Sequence, residues 1–111
     1  MVVHELTESE IDRIFQALAD ATRRDIVSRV LVTGQSVTAL SEHYDMSFAA
    51  VQKHVTVLER ALLVTKERRG REQLVHSRID TIGRAQTLLN AFEQIWAQRA
   101  RRIDDILAED P

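Results

Sequence analysis

The sequence predicts a mainly α fold that carries one small β-hairpin, and three observations point there. Apolar residues recur at spacings of three and four through most of the chain, the period of a helix face. Glycine (3) and proline (1) are scarce while 44% of residues are hydrophobic, which leaves little turn chemistry for an all-β fold. The stretch that does contain Val, Leu and Thr is split by Gly70 and Arg71, a pair of the length that closes a hairpin. At 111 residues the chain is expected to form one domain, 1–111, with no internal repeat or linker.

The helices follow in order. Thr7 and Glu10 have the spacing of a capping box and Leu6 with Ile11 that of the adjoining hydrophobic staple, so a first helix covers about 8–19. Ile11, Ile14, Phe15 and Leu18 share one of its faces. Asp20 caps a second helix in which Ile26, Val27, Val30 and Leu31 make two i, i+4 pairs, and Thr33 and Gly34 end it. Ser36 caps a short third helix with Val37, Leu40 and Tyr44 on one side. Only Asp45 and Met46 then precede Ser47, the cap of a fourth helix. Two helices joined so closely, the second exposing polar residues, are a helix-turn-helix candidate over about 36–61.

Around that fourth helix, at about 100° per residue, Phe48, Val51, Val55 and Leu58 cluster in a sector expected to join the core. Ala49, Gln52, Lys53, Thr56 and Arg60 gather on the opposite side, with His54 at the apolar edge. The hairpin is expected over about 63–77, from Leu62 to Arg69 and from Glu72 to Ser77. A last helix covers about 80–108 and carries Ile82, Ala85, Leu88, Leu89, Phe92, Ile95, Trp96, Ile103, Ile106 and Leu107. Such a helix is roughly 40 Å long at 1.5 Å per residue. That is more apolar stripe than a domain of this size covers, so the stripe is expected to continue into a second subunit.

Charge is segregated. The net charge of -2 hides a segment from Lys53 to Arg78 with seven basic and three acidic residues, while the remainder holds eight basic and fourteen acidic. A locally positive surface of this kind suits a polyanion. With no cysteine there are no disulfides or thiolate metal sites. The amino terminus lacks the basic region and apolar run of a signal peptide, and no apolar stretch reaches the length of a membrane span, so a cytoplasmic protein without a membrane partner is expected. His4, His43, His54 and His76 are scattered singly, without ligand spacing, so neither a metal site nor a cofactor is expected. No nucleophile with its base and no phosphate-cradling glycine loop can be assembled, which argues against an enzyme.

Leu18 to Arg24 (LADATRR), Asp45 to Val64 (DMSFAAVQKHVTVLERALLV), Arg68 to Glu72 (RRGRE) and the late Ile95-Trp96 pair together resemble the arsenic-repressor-like (ArsR) regulators. Among these the chain is most similar to the non-metal, autorepressor-like branch. The resemblance implies a winged helix-turn-helix, with four helices, a two-stranded wing and a fifth helix. It also implies a homodimer built from the first and last helices, binding an inverted repeat in promoter DNA and repressing transcription. Four positions depart from the family pattern: Ala21 and Ala49 stand where prolines are usual, Gln52 where serine is frequent, and Leu62 where glycine follows the recognition helix. Ser36 and Thr38 occupy the place of the Cys-x-Cys pair of metal-sensing relatives, and no histidine follows His76.

The expected DNA contacts are Ser47, Ala49, Gln52, Lys53, His54, Thr56, Arg68, Arg69 and Arg71. Gln52 can pair bidentately with adenine, Lys53 can reach guanine or a phosphate, and Thr56 can touch a thymine methyl. Ser47 caps the helix and meets a phosphate through the helix amino terminus. The three arginines suit backbone or minor-groove contact. Arg23 and Arg24 either join this footprint or pair with first-helix acids such as Asp12. The dimer interface is expected at Ile11, Phe15, Leu88, Phe92, Ile95, Trp96 and Ile103. Double-stranded DNA and a second copy are thus the expected partners, with a small-molecule effector left open. Two other functions compete: an antitoxin-like protein-interaction module that keeps the fold, and a metal-responsive repressor using His and carboxylates.

Overall fold

The computed structural model describes residues 6–108; His4 lies outside the described residues. The first helix, α1 (Glu8–Leu18), begins as its sequence dictates. The Thr7 hydroxyl accepts from the Glu10 amide at 3.1 Å and the Glu10 carboxylate accepts from the Thr7 amide at 3.2 Å, a complete capping box. Asp20 caps α2 (Ala21–Val32), accepting from the Arg23 amide at 3.0 Å, and this hydrogen bond holds the Asp20 carboxyl below its usual range.

The corner between α1 and α2 is closed by two arginines. The last turn of α1 contains no basic residue of its own to face its free carbonyls. Arg23 supplies the missing donors, its Nε to Ala17 O at 2.7 Å and its Nη2 to Gln16 O at 3.0 Å, while Arg24 Nη1 reaches Leu18 O at 2.7 Å. Instead of pairing with first-helix acids such as Asp12, both arginines cap a helix end.

A strand absent from the expected order follows. β1 (Gln35–Ser36) pairs antiparallel with β3 (Glu72–Ser77), which pairs in turn with β2 (Val64–Arg69), giving a three-stranded sheet of order β1-β3-β2. Two residues are too few to show an alternating pattern, which is why the sequence concealed the strand. Gly34 lets it dock, since a Cβ there would collide with the imidazole of His76 on β3. Ser36 then caps α3 (Val37–Ser41), as expected. That helix is shorter than its sequence suggested: Tyr44 lies in the turn and not on the helix, because the His43 and Tyr44 amides bond back to Leu40 and Ser41 at i−3. Tyr44 is nonetheless packed against the core, and its hydroxyl donates to Asp25 Oδ2 at 2.6 Å. Arg29 Nε reaches the same oxygen at 2.7 Å. This pair of bonds ties the turn to α2 and depresses the Asp25 carboxyl, while burial and Asp25 push Tyr44 up to about 12.

The core is filled by Ile14 of α1, Ile26 and Val30 of α2, Leu40 of α3, the stripe Val51, Val55 and Leu58 of α4 (Phe48–Arg60), and Leu63, Val64 and Val75 at the root of the sheet. Phe48, expected inside, is 46% exposed, and Leu31 of the α2 apolar pairs is 47% exposed. Phe48 is the first helical residue, so it stands beyond the end of the buried stripe.

α4 ends in a left-handed residue. Ala61 is the C-cap, the Leu62 amide bonds to Glu59 O at 3.0 Å and the Leu63 amide to Leu58 O at 3.0 Å, the two bonds of a Schellman motif. That motif requires the φ of +60° found at Leu62, a conformation that costs a side-chain-bearing residue roughly 1 kcal/mol or more. The chain then enters β2, and Gly70 turns it into β3 with a positive φ at the first of two loop residues, as in a type II′ hairpin.

The thirty residues of α5 (Ile79–Ala108) span about 45 Å. Thr81 is its buried residue, with Ile82 and Ala85 partly packed on the core; beyond them the helix leaves the body of the domain. The radius of gyration, 19.1 Å, accordingly exceeds the roughly 13 Å of a compact domain of this length. Leu89, Phe92, Trp96, Ile103 and Ile106 are all exposed along it, at spacings of three, four and seven. Among the described residues no helix is long and apolar enough to cross a membrane.

Two predictions follow from these packing arrangements. Leu62→Ala removes buried surface and keeps the strained φ, so it should destabilise by about 1–2 kcal/mol; Leu62→Gly should cost less although it removes more, an inversion readable by urea denaturation at one protein concentration. For Asp25, a lowered folded value means stability that is present above about pH 4 and lost as pH falls through that value; for Tyr44 it is present below pH 10 and lost as pH rises toward 12. Tyr44→Phe should therefore cost about 1 kcal/mol at pH 7 and nothing extra at pH 12, as measured by the same denaturation series.

Candidate nucleic-acid interface

α4 presents its outward face because its inward face is consumed by the core. Val51, Val55 and Leu58 are each fully buried, which fixes the rotation of the helix and leaves Ala49, Lys53 and Arg60 exposed. At its amino terminus the Ser47 hydroxyl accepts from the Ala50 amide at 3.1 Å. The serine is thus the expected cap, and its own hydroxyl proton is free to be donated outward.

The flanks of α4 serve different neighbours. On the side toward α2, His54 Nδ1 lies 3.3 Å from Arg23 Nη1. A guanidinium only donates, so Nδ1 is the acceptor and a neutral ring carries its proton on Nε2. His54 is therefore a half-buried link between α4 and the arginine that closes the α1–α2 corner, in keeping with its place at the apolar edge. On the side toward the sheet, Lys66 Nζ donates to Thr56 Oγ1 at 3.4 Å and lies 3.5 Å from Glu59. Thr56 is thus engaged in holding α4 to β2, whereas Gln52, one turn earlier, has no such tie.

Arg68, Arg69 and Arg71 are all exposed at the tip of the β2–β3 wing. Arg68 Nε is 3.4 Å from Gly70 O, and Arg69 is 3.5 Å from Glu67, which also faces His76 at 3.6 Å. These are solvated contacts of little energetic weight, so a phosphate can displace them. Between wing and helix lies an open cleft of about 230 Å³ bordered by Phe48, Gln52, Arg68, Arg71 and Glu72. The structure thus gathers Gln52 with two of the three wing arginines, while Arg69, Lys53 and Ala49 are exposed but do not line that cleft. Phe48 and Glu72 belong to this neighbourhood although the sequence did not place them there; the signal for Phe48 was its position directly after the cap, where a helix protrudes past its core. The Oε1 of Gln73, on the cleft wall, is buried without a hydrogen-bond partner. Among the described residues no group of three or more His, Asp or Glu side chains is arranged to hold a metal ion.

The residues expected at a dimer interface fall into two sets. Ile11 and Leu88 are half-buried in the single chain, whereas Phe15, Phe92, Ile95, Trp96 and Ile103 are exposed.

No protein-family model matches the sequence. Among individual proteins, the chain is 34% identical over 87 residues to the HTH-type transcriptional regulator Rv2034 of Mycobacterium tuberculosis, a match covering 78% of each chain. It is 29% identical over 73 residues to the transcriptional repressor SdpR of Bacillus subtilis, covering 64% of this chain and 77% of that protein. The solved structure of an ArsR-like transcriptional regulator from Rhodococcus sp. RHA1 superposes with a TM-score of 0.77 at 26% identity, over 88% of this chain and 92% of that one. Fold, recognition-helix geometry and relatives agree: the chain is a DNA-binding transcriptional regulator and not an enzyme, and it belongs to the ArsR family of winged helix-turn-helix proteins.

Proposed function

We propose that the chain works in the cytoplasm as a homodimeric repressor or autorepressor, binding an inverted-repeat operator. The observation that carries this is the juxtaposition of an α4 face left open by the core with a wing tip bearing three exposed arginines. In this reading the helix-turn-helix comprises about 36–61, the wing about 63–77, and the dimerisation surfaces about 8–19 and 80–108. Ala49, Gln52, Lys53 and Thr56 address base edges, Ser47 and His54 approach the backbone, and Arg68, Arg69 and Arg71 provide phosphate or minor-groove contact. Repression accords with the relative named as a repressor, since a dimer seated over a promoter excludes other proteins from it.

Support for the dimer comes from the bare apolar face of α5. A helix exposing Leu89, Phe92, Ile95 and Trp96 along one stripe gains roughly 25 cal/mol per Å² by burying it, and a second copy with Ile11 and Phe15 of α1 provides a self-complementary cover. Two-fold symmetry then sets the recognition helices in successive major grooves about 34 Å apart.

Gln52→Ala should lose about 1–3 kcal/mol at particular base pairs, measured by competition between single-base operator variants. Arg69→Ala should weaken binding to all duplexes alike and reduce the slope of log K against log salt by about one per protomer. Equal losses on operator and random DNA for the Gln52 variant would remove it from the readers. Trp96 is the single tryptophan and is 67% exposed in one protomer, so dilution through the dimer dissociation range should shift its emission to the red. An emission already that of a solvated indole at high concentration would refute the α5 interface.

A further inference from the structure

Phe48 is out of place for a core residue. It is the first residue of α4, directly after the Ser47 cap, and it is 46% exposed where the next three residues of the same stripe, Val51, Val55 and Leu58, are fully buried. Contrary to the opposite sectors expected for them, the ring stands one turn from Gln52 on the same flank of the helix, since residues four apart differ by only about 40°, and it shares with Gln52 the cleft bordered by Arg68, Arg71 and Glu72. The amino-terminal residues of a recognition helix are those that reach the base edges. An aromatic side chain brought there finds few surfaces it can bury against. Phosphates and the polar edges of guanine, cytosine and adenine would lose hydration against it without gaining a hydrogen bond. The major groove offers one apolar group, the C5 methyl of thymine.

We propose that Phe48 is a specificity-determining residue that packs on a thymine methyl in each operator half-site, beside the base pair addressed by Gln52. The inference rests on the operator-binding reading above and adds to it the chemical class of one base position. The methyl is covered on one side by the ring and on the other by its own stacked neighbours, while Arg68 and Arg71 hold the adjacent backbone. Glu72, on the same cleft, repels phosphate and so keeps the ring's pocket from being filled by the backbone itself.

The test uses the full chain. Duplexes bound by the purified protein are first selected from a random library, and each thymine of the selected half-site is then replaced singly by uracil, which removes the methyl and leaves every hydrogen-bonding group. The wild-type protein should lose about fourfold in affinity at one thymine per half-site, the worth of one buried methyl. Phe48→Ala should bind thymine and uracil duplexes equally. Circular dichroism checks its fold; Phe48→Gln, which keeps a long helix-forming side chain but no apolar ring, should behave the same way and replaces the alanine variant if that fails to fold. A wild-type protein indifferent to uracil at every position, or variants that retain the wild-type loss, would overturn the assignment. Failure to select any sequence is a separate result, obtained before uracil is introduced, and it overturns operator binding itself.

Discussion

The buried stripe of α4 is the constraint on which the other elements depend. Val51, Val55 and Leu58 share one buried cluster with Ile14, Ile26 and Leu40 from three other helices and Val64 and Val75 from the sheet, and α4 packs against α1, α2, α3 and β2. Because that stripe can face inward in only one rotation, the outward face is fixed by exclusion. Both ends of the helix are fixed as well, by the Ser47 cap at the start and by the Schellman bonds at the finish. The second of these places a left-handed Leu62 at the exit, and the direction of β2, hence of the wing, is set by that residue.

Polar contacts around this core position elements more than they add stability. Arg23 shows how: one guanidinium closes the carbonyl end of α1, and its remaining nitrogen reaches His54 on α4. The same logic holds at the other side of α2, where Asp25 receives Tyr44 from the helix-turn-helix turn and Arg29 from its own helix. Lys66 joins Thr56 and Glu59 to the wing. Each link is modest in energy, yet together they hold α2, α4 and β2 in register. The base-reading role proposed for α4 would need that rigidity, because base recognition depends on side chains being placed to a fraction of an ångström.

α5 obeys a different constraint. Its first turns are packed on the core, whereas Leu89, Phe92, Trp96, Ile103 and Ile106 beyond them stay exposed, uncovered by any other described residue.

Much of this was legible in the residues themselves. Caps at Thr7, Asp20, Ser36 and Ser47 depend on local hydrogen bonds between residues three apart, and local chemistry is what a sequence displays. The hairpin register was set by Gly70-Arg71, and the amphipathic period placed Val51, Val55 and Leu58 correctly. What periodicity could not show was where a core stops: Phe48 and Leu31 satisfy the pattern of their helices but lie past the edge of the neighbours that would bury them. Nor could it show β1, whose two residues become a strand only because β3 is there to receive their hydrogen bonds. Arg23 and Arg24 likewise found partners in the carbonyls of another helix end, set by the angle between α1 and α2. The sequence by itself determined which segments are helices, which face each turns inward and which segment is basic, since these follow from neighbours along the chain. Tertiary structure decided which apolar residues remain outside and which charges are spent on helix ends, because both depend on the finite size of a core and on contacts between distant segments.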